Sequence, residues 1–226
     1  MQRMTWVAIV AGWLGARAPD AVSDRYEATV TIRPIGAVGR VTEHVEDVGS
    51  GDAVATSVYG GGGEIGLSYG LQNWLDVGGE VVGAGFGQAT YDPVSVAVTG
   101  STAMGRLTRT TRIVQLRAGA TLRLGVGWVP ILHLGLGVGA RVLSAATLLD
   151  EAHAGSFDVT PDGMNATFAI DIVAHARVGL EHRLDRRWTV GVSAEAMHAL
   201  GFGTQPLDIA SVGVSLSYTW YPVFSP

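Results

Sequence analysis

The chain has 226 residues, of which 47% are apolar and only 15% are charged, whereas a soluble domain carries roughly 25% charged residues. Its formal net charge of -5 at pH 7 argues against a nucleic-acid partner. The absence of cysteine excludes disulfides and thiolate metal sites. All 15 basic residues are arginine, and this lack of lysine disfavours a large water-exposed surface.

The first residues of the chain have the layout of a secretory signal peptide. A basic residue precedes an apolar core at residues 6–14, and small residues follow, with an A-x-A cleavage pattern at 16–18. Pro19 directly after this pattern would hinder cleavage there. We therefore predict a signal peptide at 1–21, with an uncertain cleavage site, and a single domain at 22–226. The alternative is a short buried or interfacial helix.

The rest of the sequence predicts eight β-strands. In each segment, polar or glycine residues alternate with apolar residues; Glu64 and Gly66, for example, alternate with Ile65 and Leu67. A period of two indicates a strand, because successive side chains point to opposite faces. The predicted strands lie at about residues 26–38, 57–69, 75–86, 110–124, 132–142, 165–183, 188–200 and 209–221.

The fourth and fifth segments predict a long β-hairpin. Residues 125–130 join them and include Gly125, Gly127 and Pro130, which are typical of turns. One face of this hairpin is aliphatic. The other face consists of glycine and polar side chains, namely Gln115, Arg117, Gly119, Thr121, Arg123, His133, Gly135, Gly137, Gly139 and Arg141.

The connections between the predicted strands alternate in length. Three of them are tight, at residues 70–74, 125–130 and 184–187, and three are long, at residues 39–56, 87–109 and 146–164. An even number of strands, with short turns at one end and long loops at the other, is the layout of a bacterial outer-membrane β-barrel. We therefore predict an all-β, antiparallel, up-and-down transmembrane barrel with short periplasmic turns and long extracellular loops.

Alternation alone also fits a soluble lipocalin-type barrel with its apolar face inward. Three observations favour the membrane arrangement. Glycines on the polar face would make room inside a narrow eight-stranded barrel, and the strands exceed the ~9–11 residues that cross a bilayer at a tilt. Aromatic residues also gather near the short turns, as in an interfacial girdle. These residues are Tyr69, Trp74, Trp128, Trp188, Tyr218, Trp220 and Tyr221.

With this pattern, the sequence resembles the small eight-stranded outer-membrane proteins of the A, X and W group. The resemblance covers about residues 26–221 and includes the aromatic-rich last strand, SVGVSLSYTWYP, but no identity-level motif. It implies a lipid bilayer with lipopolysaccharide, and the barrel-insertion machinery, as partners. In that group the final residue is typically aromatic, whereas here Pro226 ends the sequence and Phe224 is not terminal.

The predicted inward face carries acids and bases in nearly equal number. Buried charges need partners, so we predict an interlocked arginine–carboxylate network, with Gly135, Gly137 and Gly139 making room for Arg117 and Arg177. The residues of the predicted network are Arg33, Glu64, Glu80, Arg117, Arg123, Arg141, Asp171, Arg177, Glu181 and Glu195.

Such a network would plug the barrel, which favours a structural or surface-interaction role for the protein. Two alternatives remain open: a narrow channel for small solutes or ions, and a lipid A-modifying enzyme at the rim. His198 is the candidate for the enzyme, with Ser211 and Ser144 as possible partners. We expect no catalytic site and no cofactor.

Two histidines, His133 and His175, fall on the predicted inward face. We expect them at different depths in the barrel. A metal site would need a third ligand at the same level, so the sequence predicts none.

Overall fold

A computed structural model describes residues 26–47, 50–98, 101–125, 127–144, 146–150, 155–159, 168–202 and 206–222. The predicted signal peptide, 1–21, lies outside these residues. Within the described ranges there is no helix that is long and apolar enough to cross a membrane.

The described residues form ten β-strands. Eight of them build the wall of a barrel, and two form a small hairpin beside it. In chain order they are β1 (Ala28–Asp47), β2 (Ser50–Gln72), β3 (Leu75–Val98), β4 (Ser101–Arg123), β5 (Trp128–Leu143), β6 (Ala146–Asp150), β7 (Gly155–Val159), β8 (Phe168–Arg183), β9 (Trp188–Gly201) and β10 (Leu207–Trp220).

The wall closes on itself. The strands pair in the order β3-β2-β1-β10-β9-β8-β5-β4, and an additional β3–β4 pairing completes the circle. Every one of these pairings is antiparallel. The prediction of a closed, eight-stranded antiparallel barrel is therefore confirmed.

Four strands of the wall are longer than the sequence suggested. Strands β1 to β4 have 20 to 24 residues, whereas β5, β8, β9 and β10 have 14 to 16. Stretches 39–56 and 87–109, expected as long loops, consist largely of paired strand. Valines recur through 41–58, and β-branched residues favour a strand. Only residues 48–49 separate β1 from β2.

The third long connection holds the small hairpin. Strand β6 pairs with β7 from Ala146↔Val159 to Asp150↔Gly155, and also with residues 106–108 of β4. These two short strands lie outside the circle of eight. The sequence analysis treated 146–164 as a loop and did not predict them.

The two faces of the wall are chemically opposite. The Arg33 side chain, inside the barrel, is 1% exposed, whereas Leu136, on the outer surface, is 67% exposed. Along β8 exposed and buried residues alternate, with apolar side chains outside and Asp171, His175 and Arg177 inside. This arrangement is the inverse of a lipocalin-type barrel, so the soluble alternative is wrong for this fold.

The inward face is not polar over its whole length. Towards the ends of β1 to β4 that face away from the short turns, apolar side chains pack inside the barrel, beside the buried Arg109, Arg141 and Asp171. This apolar layer contains Ala37, Val41, Val58, Ala84, Phe86, Ala89, Tyr91, Ile113, Val173, Met197, Ala199, Leu207 and Ile209.

The lumen as candidate functional site

An arginine–carboxylate cluster occupies the middle of the lumen. Arg177, on β8, lies at its centre. One guanidinium nitrogen, Nη2, lies 2.6 Å from Glu64 Oε2, 2.9 Å from Glu80 Oε2 and 2.8 Å from Glu195 Oε2. These acceptors come from β2, β3 and β9, so this single side chain of β8 contacts two strands, β2 and β3, with which β8 does not pair.

Two further arginines complete this central cluster. Arg33 Nη2 lies 2.5 Å from Glu64 Oε2 and 2.8 Å from Glu195 Oε2. Arg117 Nη1 lies 2.7 Å from Glu195 Oε1 and 3.3 Å from Glu80 Oε1. Three arginines thus balance three glutamates contributed by six strands. Isolated buried charges are costly, and the close pairing and shared hydrogen bonds offset that cost.

Charged residues of the same face form a second group near the short turns. Arg123 Nε donates to Glu181 Oε2 at 2.8 Å, and its Nη1 donates to Asp76. Arg183 Nη2 lies 3.1 Å from Glu27 Oε1. The alternation predicts Asp76, Glu27 and Arg183 on the inward face, together with the ten residues of the network.

A third group, formed by one ion pair, lies on the other side of the central cluster. Arg141 on β5 donates to both oxygens of Asp171 on β8, at 2.7 and 3.2 Å. A bidentate pair of this kind has fixed geometry and is stronger than a single contact. The ten residues predicted for the network therefore lie at three successive levels of the lumen.

Glycines of β5 face the lumen where larger side chains cross it. A Cβ at Gly137 would lie 2.9 Å from Arg117 Cγ, and one at Gly139 would lie 2.7 Å from Gln115 Cγ. A Cβ at Gly135 would collide with the His175 ring. The glycines thus make room for Arg117 as expected, whereas the space at Gly135 is taken by His175 and not by Arg177.

The two lumenal histidines lie together, which contradicts the expectation that they occupy different depths. The ring centroids of His133 and His175 are 5.1 Å apart. Glu80 is their neighbour, and one possible ligand atom from each of the three residues lies within 4.8 Å of the others. The expectation was wrong because the His175 ring lies over Gly135, its partner on β5, and so comes close to His133, two residues earlier on that strand. The spacing of residues in the sequence does not reveal this approach.

The aromatic residues predicted for a girdle lie at the short-turn end of the barrel. Trp74, Trp128 and Trp188 lie at or just before the first residue of β3, β5 and β9, and all three are exposed. Trp188 packs edge-on against Tyr218, with ring centroids 5.0 Å apart, and Trp220 stacks on Tyr218. The remaining members, Tyr69 and Tyr221, lie at the same end, on β2 and just after β10.

A second set of exposed aromatic residues was missed by the sequence analysis. Tyr59, Phe168 and Phe202 lie on the outer surface towards the opposite ends of β2, β8 and β9. Their outward position follows from the same alternation, but they are spread over three distant segments. The cylindrical surface between the two aromatic sets is covered by exposed aliphatic side chains.

The rim histidine considered for catalysis has an acidic partner. His198 Nδ1 lies 2.6 Å from Asp208 Oδ1, and both side chains are exposed. The serine considered with it, Ser211, is buried on the inward face. Ser144 instead accepts a hydrogen bond from the Thr110 backbone. The structure therefore does not bring the three residues together.

Comparison with known proteins finds similarity in structure only. No protein-family model matches the sequence, and no curated protein matches it. The chain is similar to Neisserial surface protein A, with a TM-score of 0.49 and 9% identity over 86% of this chain and 96% of that one. It is similar to the attachment invasion locus protein Ail of Yersinia pestis, with a TM-score of 0.44 and 13% identity over 87% and 99%. For the outer membrane protein OprG of Pseudomonas aeruginosa the TM-score is 0.41, with 12% identity over 89% and 100%.

Proposed function

We propose that this protein is an outer-membrane β-barrel whose filled lumen does not conduct and whose role is structural or surface-directed. The observation that carries this proposal is the central cluster, in which three arginines and three glutamates from six strands meet across the barrel. A ring of charges lining an open pore would leave a gap at the axis. Here the side chains contact one another instead.

The outer surface supports embedding in a bilayer. Two sets of outward-facing aromatic residues flank an aliphatic belt, and on β2 the sets are represented by the exposed Tyr59 and the half-buried Tyr69. At about 3.3 Å per residue and a tilt near 40°, the ten residue steps from Tyr59 to Tyr69 rise ~25 Å, which matches the apolar band of an outer-membrane barrel. Aromatic rings favour the headgroup level on both sides of such a band.

The lumen supports closure at two levels. Beside the central cluster, towards the short turns, there is a cavity of about 60 Å³ lined by Arg33, Glu64, Glu80 and Arg177, among others. That volume has room for only a few water molecules, since each needs roughly 10–15 Å³. On the opposite side of the cluster, the apolar layer would add a barrier to ions, because a charge gains no hydration there.

The long ends of β1 to β4 support a surface role. They exceed by about ten residues the ~9–11 residues that cross a bilayer, so these two hairpins extend beyond the aliphatic belt. With the short turns in the periplasm, the hairpins extend outside the cell. Lipopolysaccharide would surround their base, and the aromatic end of β10 would present the chain to the barrel-insertion machinery.

Conductance in planar bilayers tests the closed lumen. We expect no discrete step from the refolded protein, and a conducting state from a triple variant that removes both barriers, Glu64→Ala, Arg177→Ala and Phe86→Ala. Arg112→Ala, at an exposed position on β4, is the matched control and should stay silent. A reproducible single-channel step from the unaltered protein would instead establish the second candidate, a narrow ion channel, which the small polar cavity favours.

A further inference from the structure

Three side chains inside the barrel form a constellation, and the closed-lumen function uses only one of them, Glu80. Glu80 on β3, His133 on β5 and His175 on β8 are 7%, 8% and 5% exposed. One possible ligand atom from each lies within 4.8 Å of the other two. These three strands converge on one point of the lumen, although β3 pairs with neither β5 nor β8.

Three of the four imidazole nitrogens at this point lack hydrogen-bond partners. His133 Nε2 and both ring nitrogens of His175 are buried and make no hydrogen bond in the described structure. The nearest acids to His175 Nδ1 are Glu80 Oε1 at 3.7 Å and Glu195 Oε2 at 3.8 Å, which are ion-pair distances but not hydrogen bonds. Buried polar atoms without partners are rare, and each needs an explanation.

The ring of His133 is already oriented for coordination. Its Nδ1 lies 2.8 Å from Thr121 Oγ1. When Nδ1–H donates to this hydroxyl, the lone pair of Nε2 is free for a metal ion, which is the arrangement that second-shell partners impose on metal-bound histidines. A Cβ at Gly119 would lie 2.7 Å from this same Nε2, so the glycine keeps the space around the nitrogen open.

Space for an ion and bound water adjoins the ligands. The 60 Å³ cavity is lined by both Glu80 and His133, with Thr121, Arg123 and Glu181 on its other sides. A single water needs roughly 10–15 Å³ of such space. The cavity therefore has room for water at the coordination positions that protein atoms leave open.

We propose that Glu80, His133 and His175 bind a divalent transition-metal ion, of which Zn²⁺ is the representative. Imidazole nitrogen suits zinc and its neighbours in the first transition row, whereas calcium and magnesium require oxygen ligands. Three protein ligands leave a fourth position for water from the cavity. Glu64 and Glu195 each place a possible ligand atom within 4.8 Å of one from Glu80. Their carboxylates attract the ion, although they also pair with Arg33, Arg117 and Arg177.

Zinc titration of the untagged, detergent-refolded protein tests this proposal, because an affinity tag of histidines would bind the same ion. After removal of metal with a chelator, Zn²⁺ is added in competition with a chromophoric indicator. We expect one site per chain in the unaltered protein. His133→Ala and His175→Ala should each weaken binding at least about tenfold. His182→Ala and His198→Ala, at positions on the outer surface, are the matched controls and should bind as the unaltered protein does.

A second readout separates coordination from folding. The ion would tie β3, β5 and β8 together, so Zn²⁺ should raise the temperature at which the barrel loses its SDS-resistant gel mobility. This rise should be absent from both lumenal histidine variants and present in both controls. Heat-dependent mobility without metal shows whether each variant is folded.

Cobalt keeps the proposal testable if the lumenal variants do not fold. Co²⁺ bound by two imidazoles and a carboxylate in a site of low coordination number absorbs visible light strongly, whereas hydrated Co²⁺ absorbs weakly. We expect this absorption from the unaltered protein, and its loss on addition of Zn²⁺. Absence of the band, or zinc binding that is lost in His182→Ala or His198→Ala but kept without His133 and His175, would overturn the proposal.

Discussion

The same wall of eight strands encloses two differently filled spaces. In the half of the lumen near the short turns, arginines and carboxylates meet in groups, whereas in the other half apolar side chains pack together beside the Arg141–Asp171 pair. The charged half is stabilised by ion pairs and hydrogen bonds, and a side chain such as Arg177 contacts several carboxylates at once. The apolar half is held by close packing, which depends on volume. A defect in the first half should therefore leave a charge without a partner, and a defect in the second should leave a void.

The largest expected effect is the loss of Arg177. Its removal by Arg177→Ala would leave three carboxylates, those of Glu64, Glu80 and Glu195, with too few cations within a few ångströms. We expect a loss of about 3–5 kcal/mol in the free energy of unfolding, because breaking a buried pair leaves an uncompensated charge. Urea unfolding from lipid vesicles, followed by tryptophan fluorescence, measures this loss.

Arg112→Ala is the control for Arg177→Ala, because it also removes one positive charge but at an exposed position. It should change the free energy of unfolding by less than about 0.5 kcal/mol. A double variant, Arg177→Ala with Glu64→Gln, should recover part of the loss, since it removes one of the stranded charges. Equal stability of the double and single variants would argue against charge imbalance as the cause.

A charge introduced on the outer surface tests whether the aliphatic face contacts lipid. Leu136 is exposed on β5 in the middle of the aliphatic belt, so Leu136→Arg should cost about 2–4 kcal/mol in lipid. The same vesicle unfolding experiment measures this loss, with Leu136→Ala as the size control. If Leu136→Arg were silent in lipid and Gly137→Arg were tolerated less well, the membrane would not contact this face.

The apolar layer should respond to lost volume. Leu207 is fully buried at the start of β10 and packs in the layer. We expect Leu207→Ala to cost about 2–3 kcal/mol, from the lost transfer free energy and the void that remains. Leu200→Ala, at an exposed position on β9, is the matched control and should cost less, because lipid can fill the vacated space. Equal losses at the two positions would show that the layer is loosely packed.

The smallest effect concerns an acid outside the lumen. Asp185, in the turn before β9, accepts hydrogen bonds from the backbone N–H groups of Arg187 at 2.6 Å and Trp188 at 2.9 Å. These two bonds lower the pKa of the Asp185 carboxyl below its ordinary value. A depressed pKa stabilises the folded state above the unfolded pKa, near ~4, and that contribution is lost as the pH falls through the folded pKa.

Asp185→Asn therefore tests a carboxylate that is stabilised by backbone N–H groups, whereas the lumenal carboxylates are stabilised by arginines. The stability advantage of the unaltered protein over Asp185→Asn should be small at pH 6 and should shrink as the pH is lowered past ~4. Urea midpoints of the two proteins at each pH measure this difference. The lumenal carboxylates are the same in both proteins, so their contribution cancels from the difference. A difference that stays constant with pH would contradict the prediction.

Most of the wall could be predicted from the sequence, because alternation with period two assigns each residue to a face. The same rule also places the side chains of the apolar layer on the inward face. On β3, the inward positions continue from Glu80 to Val82, Ala84 and Phe86. The prediction from alternation placed apolar residues against the lipid and used only the charged positions to define the lumen, so it missed the change from charged to apolar filling along the lumen.

The histidine pair could not be predicted in the same way. Which residues of different strands share a level depends on the stagger between strands, and the sequence does not specify that stagger. His133 lies opposite Arg177, and His175 lies opposite Gly135, one step away on the same face. Only the three-dimensional register, together with the missing Cβ at Gly135, brings the two rings together.

The inward placement of arginine also decides how the protein meets a protease. With no lysine in the chain, trypsin can cut only after arginine, and Arg33, Arg109, Arg117, Arg141 and Arg177 are buried in the barrel. A protease must draw several residues of chain out into its cleft, which a strand hydrogen-bonded on both sides does not allow. Among the described residues, the turn at Arg186 and Arg187 is therefore the most accessible place for cleavage. Cleavage at the buried arginines requires the strands to separate, so the set of tryptic fragments reports whether the barrel is folded.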